Sequence, residues 1–143
     1  KKAEMSAMAL LPKTTPVKIK IDKKAKNITF LHGTNRQKDE HVHLSIRKYY
    51  NFHSGKYIIK YENGETEEIK IKLSQQITGW NSRKLASFVE TGIFGSIGDQ
   101  IHINIPSYTW INPFPEKLIS EIEVIPSNHE DITLVLYGLS IDN

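Results

Sequence analysis

A chain of 143 residues, 38% hydrophobic and 24% charged, suits one domain with a real core; it is too short for two ordinary domains and too apolar to be disordered. The absence of Cys excludes disulfides and thiolate metal sites, and no apolar run reaches the length of a membrane-spanning helix. The net charge of +3 is mild and the lysines are spread along the chain, which argues against nucleic acid as a partner.

Residues 1–15 read as a linker or lead-in, and residues 16–143 as a single domain. The apolar stretch Met5 to Leu11 is too short for a secretion signal, and the opening Lys1-Lys2 suggests a piece of a longer protein. Pro16-Val-Lys-Ile-Lys-Ile-Asp22 alternates with period two, so Val17, Ile19 and Ile21 face inward and Lys18 and Lys20 outward. A turn follows at Lys23 to Asn27, then a short apolar strand, Ile28 to His32, stopped by Gly33. Asn35 to Glu40 reads as a loop. Val42 to Tyr50 reads as a strand with Val42, Leu44 and Ile46 inward.

The clearest local signal is Gly55 to Leu73, two strands joined at Asn63-Gly64. Tyr57, Ile59 and Tyr61 share a face, as do Ile69, Ile71 and Leu73. A two-residue loop would put these two sets on opposite faces. The pattern therefore predicts a three-residue loop, Glu62-Asn63-Gly64, closed by Tyr61 and Glu65, with Gly64 left-handed as a bulge. Gln75 to Gly98 is irregular, with a short helix or turn expected over Ser82 to Phe88. Gln100 to Ile105 alternates and is expected to end at Pro106. Tyr108 to Ile111 is read as a separate short strand. Lys117 to Ile125 puts Ile122 and Val124 on one face, and Ile132 to Ile141 reads as a long central strand. Eight or nine short strands and no amphipathic helix predict an all-β fold, a jelly-roll-like sandwich of two antiparallel sheets.

Few residues point to chemistry. His41 and His43 share one face of a strand and can supply two metal ligands, with His53 or His102 as a distant third, but the Glu that cupin-type metal enzymes place after such a pair is absent. Glu65, Glu67, Glu68, Glu121 and Glu123 alternate with apolar or basic residues, as solvated faces do, and do not flank a cleft as glycosidase carboxylates must. There is no phosphate-cradling Gly loop and no nucleophile elbow. Lys18, Lys20, Lys23, Lys24 and Lys26 form a basic edge of the kind that resists strand pairing. Trp80, beside Asn81 and Arg83, suits stacking on a sugar ring while its polar neighbours bond hydroxyls; equally, it suits a loop anchored by burying its indole.

Tyr108-Thr-Trp-Ile-Asn-Pro-Phe-Pro-Glu-Lys117 followed by Ile119 and Ile122 resembles a run near the C-terminus of galactose-binding-like jelly-roll modules attached to bacterial glycoside hydrolases and other polysaccharide-degrading proteins. Phe30-Leu-His-Gly33, Tyr57-x-Ile-x-Tyr-x-x-Gly64, Ile77-x-x-Trp80 and Leu136 to Ile141 resemble further segments of those modules, in the same order. Where such modules carry another Trp followed by Gly, this chain has Phe88-Val-Glu-Thr-Gly-Ile-Phe-Gly95. The resemblance implies a non-catalytic carbohydrate-binding accessory module of a larger secreted, periplasmic or cell-surface protein, with a catalytic domain in the same parent chain. Trp80, Phe94 or Tyr50 would stack on the sugar, with Asn81, Arg83, Asn35 and Arg36 as hydrogen-bonding partners. It also implies a structural calcium, for which Asp39, Glu40 and Asp99 are the candidate ligands. The other expectations are a structural or protein-interaction sandwich with no small ligand and, third, a cupin-like metal enzyme. The residues alone give the Trp-x-Asn-Pro-x-Pro run a structural role: Asn112 bonds backbone left unpaired by Pro113 and Pro115, and Trp110 caps the core.

Overall fold

The computed structural model describes residues 7–35, 53–73, 75–80, 87–99 and 101–143. The expected strand at Val42 to Tyr50 lies outside them, as does the turn or helix expected over Ser82 to Phe88 except for residues 87 and 88, which form a turn. Among the described residues there are nine strands: β1 (Met8–Leu10), β2 (Val17–Lys23), β3 (Asn27–Thr34), β4 (His53–Tyr61), β5 (Thr66–Lys72), β6 (Glu90–Ile97), β7 (Ile101–Ile111), β8 (Ile119–Pro126) and β9 (Leu134–Asp142). They form two antiparallel sheets, ordered β1-β9-β3-β7-β6 and β2-β8-β4-β5. The all-β, two-sheet expectation holds. No helix among the described residues is long and apolar enough to cross a membrane.

Strand alternation decides what lies between the sheets. β3 sends in Ile28, Phe30 and His32; β4 sends in Tyr57, Ile59 and Tyr61; β8 sends in Ile122 and Val124; all are buried. Phe30 and Tyr57 stack across the core with ring centroids 4.2 Å apart. Each fully buried Ile, Val or Phe side chain among them contributes about 2 kcal/mol by leaving water. Trp110 and Tyr108 pack partly buried against this core, as their shared face suggests.

The β4–β5 hairpin follows the parity argument. Lys60 pairs with Thr66 and Ile59 with Glu67, leaving residues 62–64 as the loop. Gly64 N–H donates to Tyr61 O, Tyr61 N–H donates to Glu65 O, and Gly64 has φ 88°. Asn112 is also structural. Its Nδ2 donates to Ala25 O (2.8 Å) and Phe114 O, and its Oδ1 accepts from Phe114 N–H and from the Tyr61 hydroxyl (2.5 Å). Lys117 pairs with Glu65 and lies 3.8 Å from the centre of the Phe114 ring.

Three expectations about extent change. Met8–Leu10, read as lead-in, pair with β9, and Leu10 is in the core. Glu90–Ile97, read as irregular, is an edge strand on β7. Pro106 does not end a strand: β7 runs through it. β3–β7 pairing stops at Leu31 opposite Ser107, and β6 bulges at Gly92, between the pairs Thr91–Pro106 and Ile93–Ile105. Pro106 therefore sits where one ladder has ended and the other is already broken, so its missing N–H costs little.

Candidate functional site

The end of β3–β7 pairing opens a fork in the five-stranded sheet. β3 continues to Thr34 and β7 continues back to Ile101, with no pairing between them there. Residues 78–80 fill the gap. Thr34 N–H donates to Thr78 O, Trp80 N–H donates to Thr34 O, and Asn104 N–H donates to Trp80 O at 2.7 Å. Thr34 and Gly79 form a parallel bridge. Gly33 lies alongside; a Cβ there would meet Trp80 Cα at 3.8 Å. The backbone of Trp80 is thus locked between two strands, while its side chain is half-buried.

On the far side of β7, Asn104 pairs with Phe94 of β6. Cross-strand partners share a face, so Phe94 stands on the β7 face that carries Tyr108 and Trp110. Phe94 is 71% exposed. On the near side, Asn35 follows Thr34. It is exposed, and its Oδ1 accepts from Thr133 N–H (2.8 Å) and from the Thr34 hydroxyl. The order across this end of the sheet is Asn35, Trp80, Asn104, Phe94. Three of the sequence candidates are therefore neighbours by strand order, and Asn35 also ties β3 to the segment before β9. Asn81, Arg83, Arg36 and Tyr50 lie outside the described residues.

Of the calcium candidates, Asp39 and Glu40 lie outside the described residues, and Asp99 is exposed at the β6–β7 turn beside Gly98. His41 and His43 also lie outside them. His53 and His102 stand on different sheets. Among the described residues no three His, Cys, Asp or Glu side chains gather closely enough to hold a metal ion.

One site-supporting residue was not anticipated. His32, fully buried on β3, spans both sheets and the segment leading to Trp80. Its Nε2 lies 2.7 Å from Gln76 O, and its Nδ1 lies 2.7 Å from the Tyr57 hydroxyl. A carbonyl only accepts, so Nε2 carries the proton, Nδ1 accepts, and Tyr57 O–H donates. Burial lowers the imidazole pKa from 6.5 to about 4 and raises that of the Tyr57 phenol. Nothing local in Phe30-Leu-His32 signals this, because both partners are more than 20 residues away.

Comparison with protein-family models, with curated proteins and with solved structures finds no match to this chain.

Proposed function

We infer that this domain is a non-catalytic carbohydrate-binding module. The observation that carries the reading is Phe94: an aromatic ring 71% exposed on an edge strand, across from Asn104, which in turn bonds the backbone of the strand-locked Trp80. An exposed ring offers a flat apolar face to the C–H side of a pyranose, and a rigid backbone beneath it limits the entropy lost on binding. Asn35, exposed at the same end of the sheet, carries an amide that suits sugar hydroxyls. The family resemblance adds the accessory role: work beside a catalytic domain of the same parent chain, on polysaccharide, outside the cytoplasm.

The test is affinity electrophoresis through gels containing soluble neutral polysaccharides. Retardation by at least one of them, lost in Phe94→Ala and weakened in Trp80→Ala with the far-UV spectrum unchanged, is expected. Unaltered migration in every gel would refute the reading. A protein-interaction role is the second reading, favoured by the two exposed rings Phe88 (62% exposed) and Phe94, just before and on the edge strand β6. It predicts concentration-dependent self-association or partner capture that Phe94→Asp abolishes, with no response to glycans.

A further inference from the structure

The solvent face of the four-stranded sheet divides into two halves of different charge. Toward the β4–β5 turn the signs are matched. Lys60 bonds Glu121 (2.9 Å) and Glu123 (2.7 Å), and Lys18 lies 3.6 Å from Glu121. Toward the other end, the register gathers basic side chains. Lys56 pairs with Lys70, and one row further on, His53 pairs with Lys72. Glu68 is the one carboxylate among the described residues that answers this corner, 2.9 Å from Lys56 and 3.8 Å from Lys70. β8 contributes Ile125 opposite Lys56, and no acid.

Like charges directly across a ladder are destabilising. Here Lys56 and Lys70 form one such row and Lys72 stands in the next, opposite the His53 imidazole, so three ammonium groups share one carboxylate and an external anion would relieve their repulsion. His53 registers the local potential. Besides burial, Lys72, Lys70 and Lys56 push its pKa down, against Glu68 alone.

The shape of the patch narrows the partner. Lys70 and Lys72 lie about 7 Å apart along one strand, with Lys56 and His53 about 5 Å across from them. This is a flat, short row of cations, suited to a linear polymer with repeated negative groups. Nucleic acid is disfavoured because the adjoining outward residues among those described are Ile58, Glu68 and Ile125, which offer no ring for base stacking.

We propose that His53, Lys56, Lys70 and Lys72 form a binding row for a linear acidic glycan, its carboxylates seated along β5 and β4. The choice of a glycan as the polyanion rests on the carbohydrate-binding reading; the location does not, because this row is on the opposite sheet from Trp80 and Phe94. Affinity electrophoresis at low salt, with polygalacturonate and its fully methyl-esterified form as probes, tests it. The acid form should retard the protein and the ester should not. Lys70→Gln/Lys72→Gln should weaken binding to the acid form roughly tenfold, while Phe94→Ala leaves it unchanged. The His53 ring, followed by NMR, should titrate at higher pH once polygalacturonate is bound.

Equal retardation by acid and ester, no effect of the double variant, or an unmoved His53 titration would each overturn the proposal. So would single-stranded DNA bound as tightly as polygalacturonate. Loss of neutral-glycan binding in Phe94→Ala with polygalacturonate binding intact would separate the two sites. Polygalacturonate binding without any neutral-glycan binding would refute the Phe94 site and leave this row standing.

Discussion

His32 should make the fold acid-sensitive well above the pH at which carboxylates titrate. In the folded protein the imidazole takes up a second proton only below about pH 4, because burial opposes a charge and Nδ1 is already occupied by the Tyr57 hydroxyl. In the unfolded chain it titrates at 6.5. Between those values the unfolded state binds more protons, so stability rises with pH. The contribution is complete above pH 6.5 and is lost as pH falls through 6.5 toward 4. Linkage arithmetic gives a loss of about 2 kcal/mol between pH 7.5 and pH 5. Over that window Glu65, Glu68, Glu121 and Glu130, all with pKa values lowered by lysine partners, stay ionised and contribute little slope. Urea unfolding followed by circular dichroism at half-unit pH steps measures the effect. His53→Gln should keep most of the slope, since that ring is exposed; His32→Gln should flatten it, whatever its own stability. A free energy level from pH 7.5 to 5 in the wild type, or an equal slope in His32→Gln, would refute this account of His32. The Nε2–H tautomer is checked separately by nitrogen chemical shifts.

Three further outcomes follow from the packing. Tyr57→Phe strands Nδ1 of His32 in the core and should cost about 1–3 kcal/mol in urea unfolding at pH 7.5; a cost below a few tenths would mean that the bond is not made. Asn112→Ala removes partners for the Tyr61 hydroxyl, Ala25 O and Phe114 N–H together, and should cost about 2–4 kcal/mol, more than Tyr61→Phe, by the same assay. Gly64→Ala and Gly55→Ala both place a side chain at positive φ, but with different surroundings. At Gly64 the new Cβ meets nothing within 4 Å, so only the backbone cost of about 1–2 kcal/mol applies. At Gly55 it meets Ile125 O at 2.5 Å, so that variant should be the less stable, and the reverse order would overturn the comparison.

Features that depend on neighbours in the chain are legible in the sequence. The three-residue turn follows from the parity of six apolar positions, and the same register sets Lys56 opposite Lys70. The His53–Lys72 pair is not readable, because a bulge between His53 and Lys56 shifts the count. β6 escapes periodicity because Gly92 and Gly95 interrupt its alternation and its edge position leaves Phe94 in water. Pro106 looks like a strand end because its tolerance depends on two distant facts, the β3–β7 fork and the Gly92 bulge. The role of Asn112 is legible, since Pro113 and Pro115 beside it must leave backbone unpaired. For the candidate site, residue type alone singles out Trp80 and Asn35. The strand order that makes them neighbours of Phe94 is a property of topology, beyond the reach of periodicity.

The placement of β8 and β9 has a consequence for how the chain folds. These two strands are consecutive, yet β8 lies between β2 and β4 in one sheet and β9 between β1 and β3 in the other. Without them, β1 and β2 have no partner among the described strands, and β4–β5 and β3–β7–β6 remain as separate pieces. Among the described strands only β4–β5 and β6–β7 are joined by local turns; the other pairings reach across much of the chain. Such long-range closure is slow, on the order of milliseconds to seconds. During synthesis β1 and β2 must wait for the last quarter of the chain before their partners among the described strands exist. The lysines that alternate along β2 therefore also keep a half-buried, partnerless strand soluble until β8 arrives.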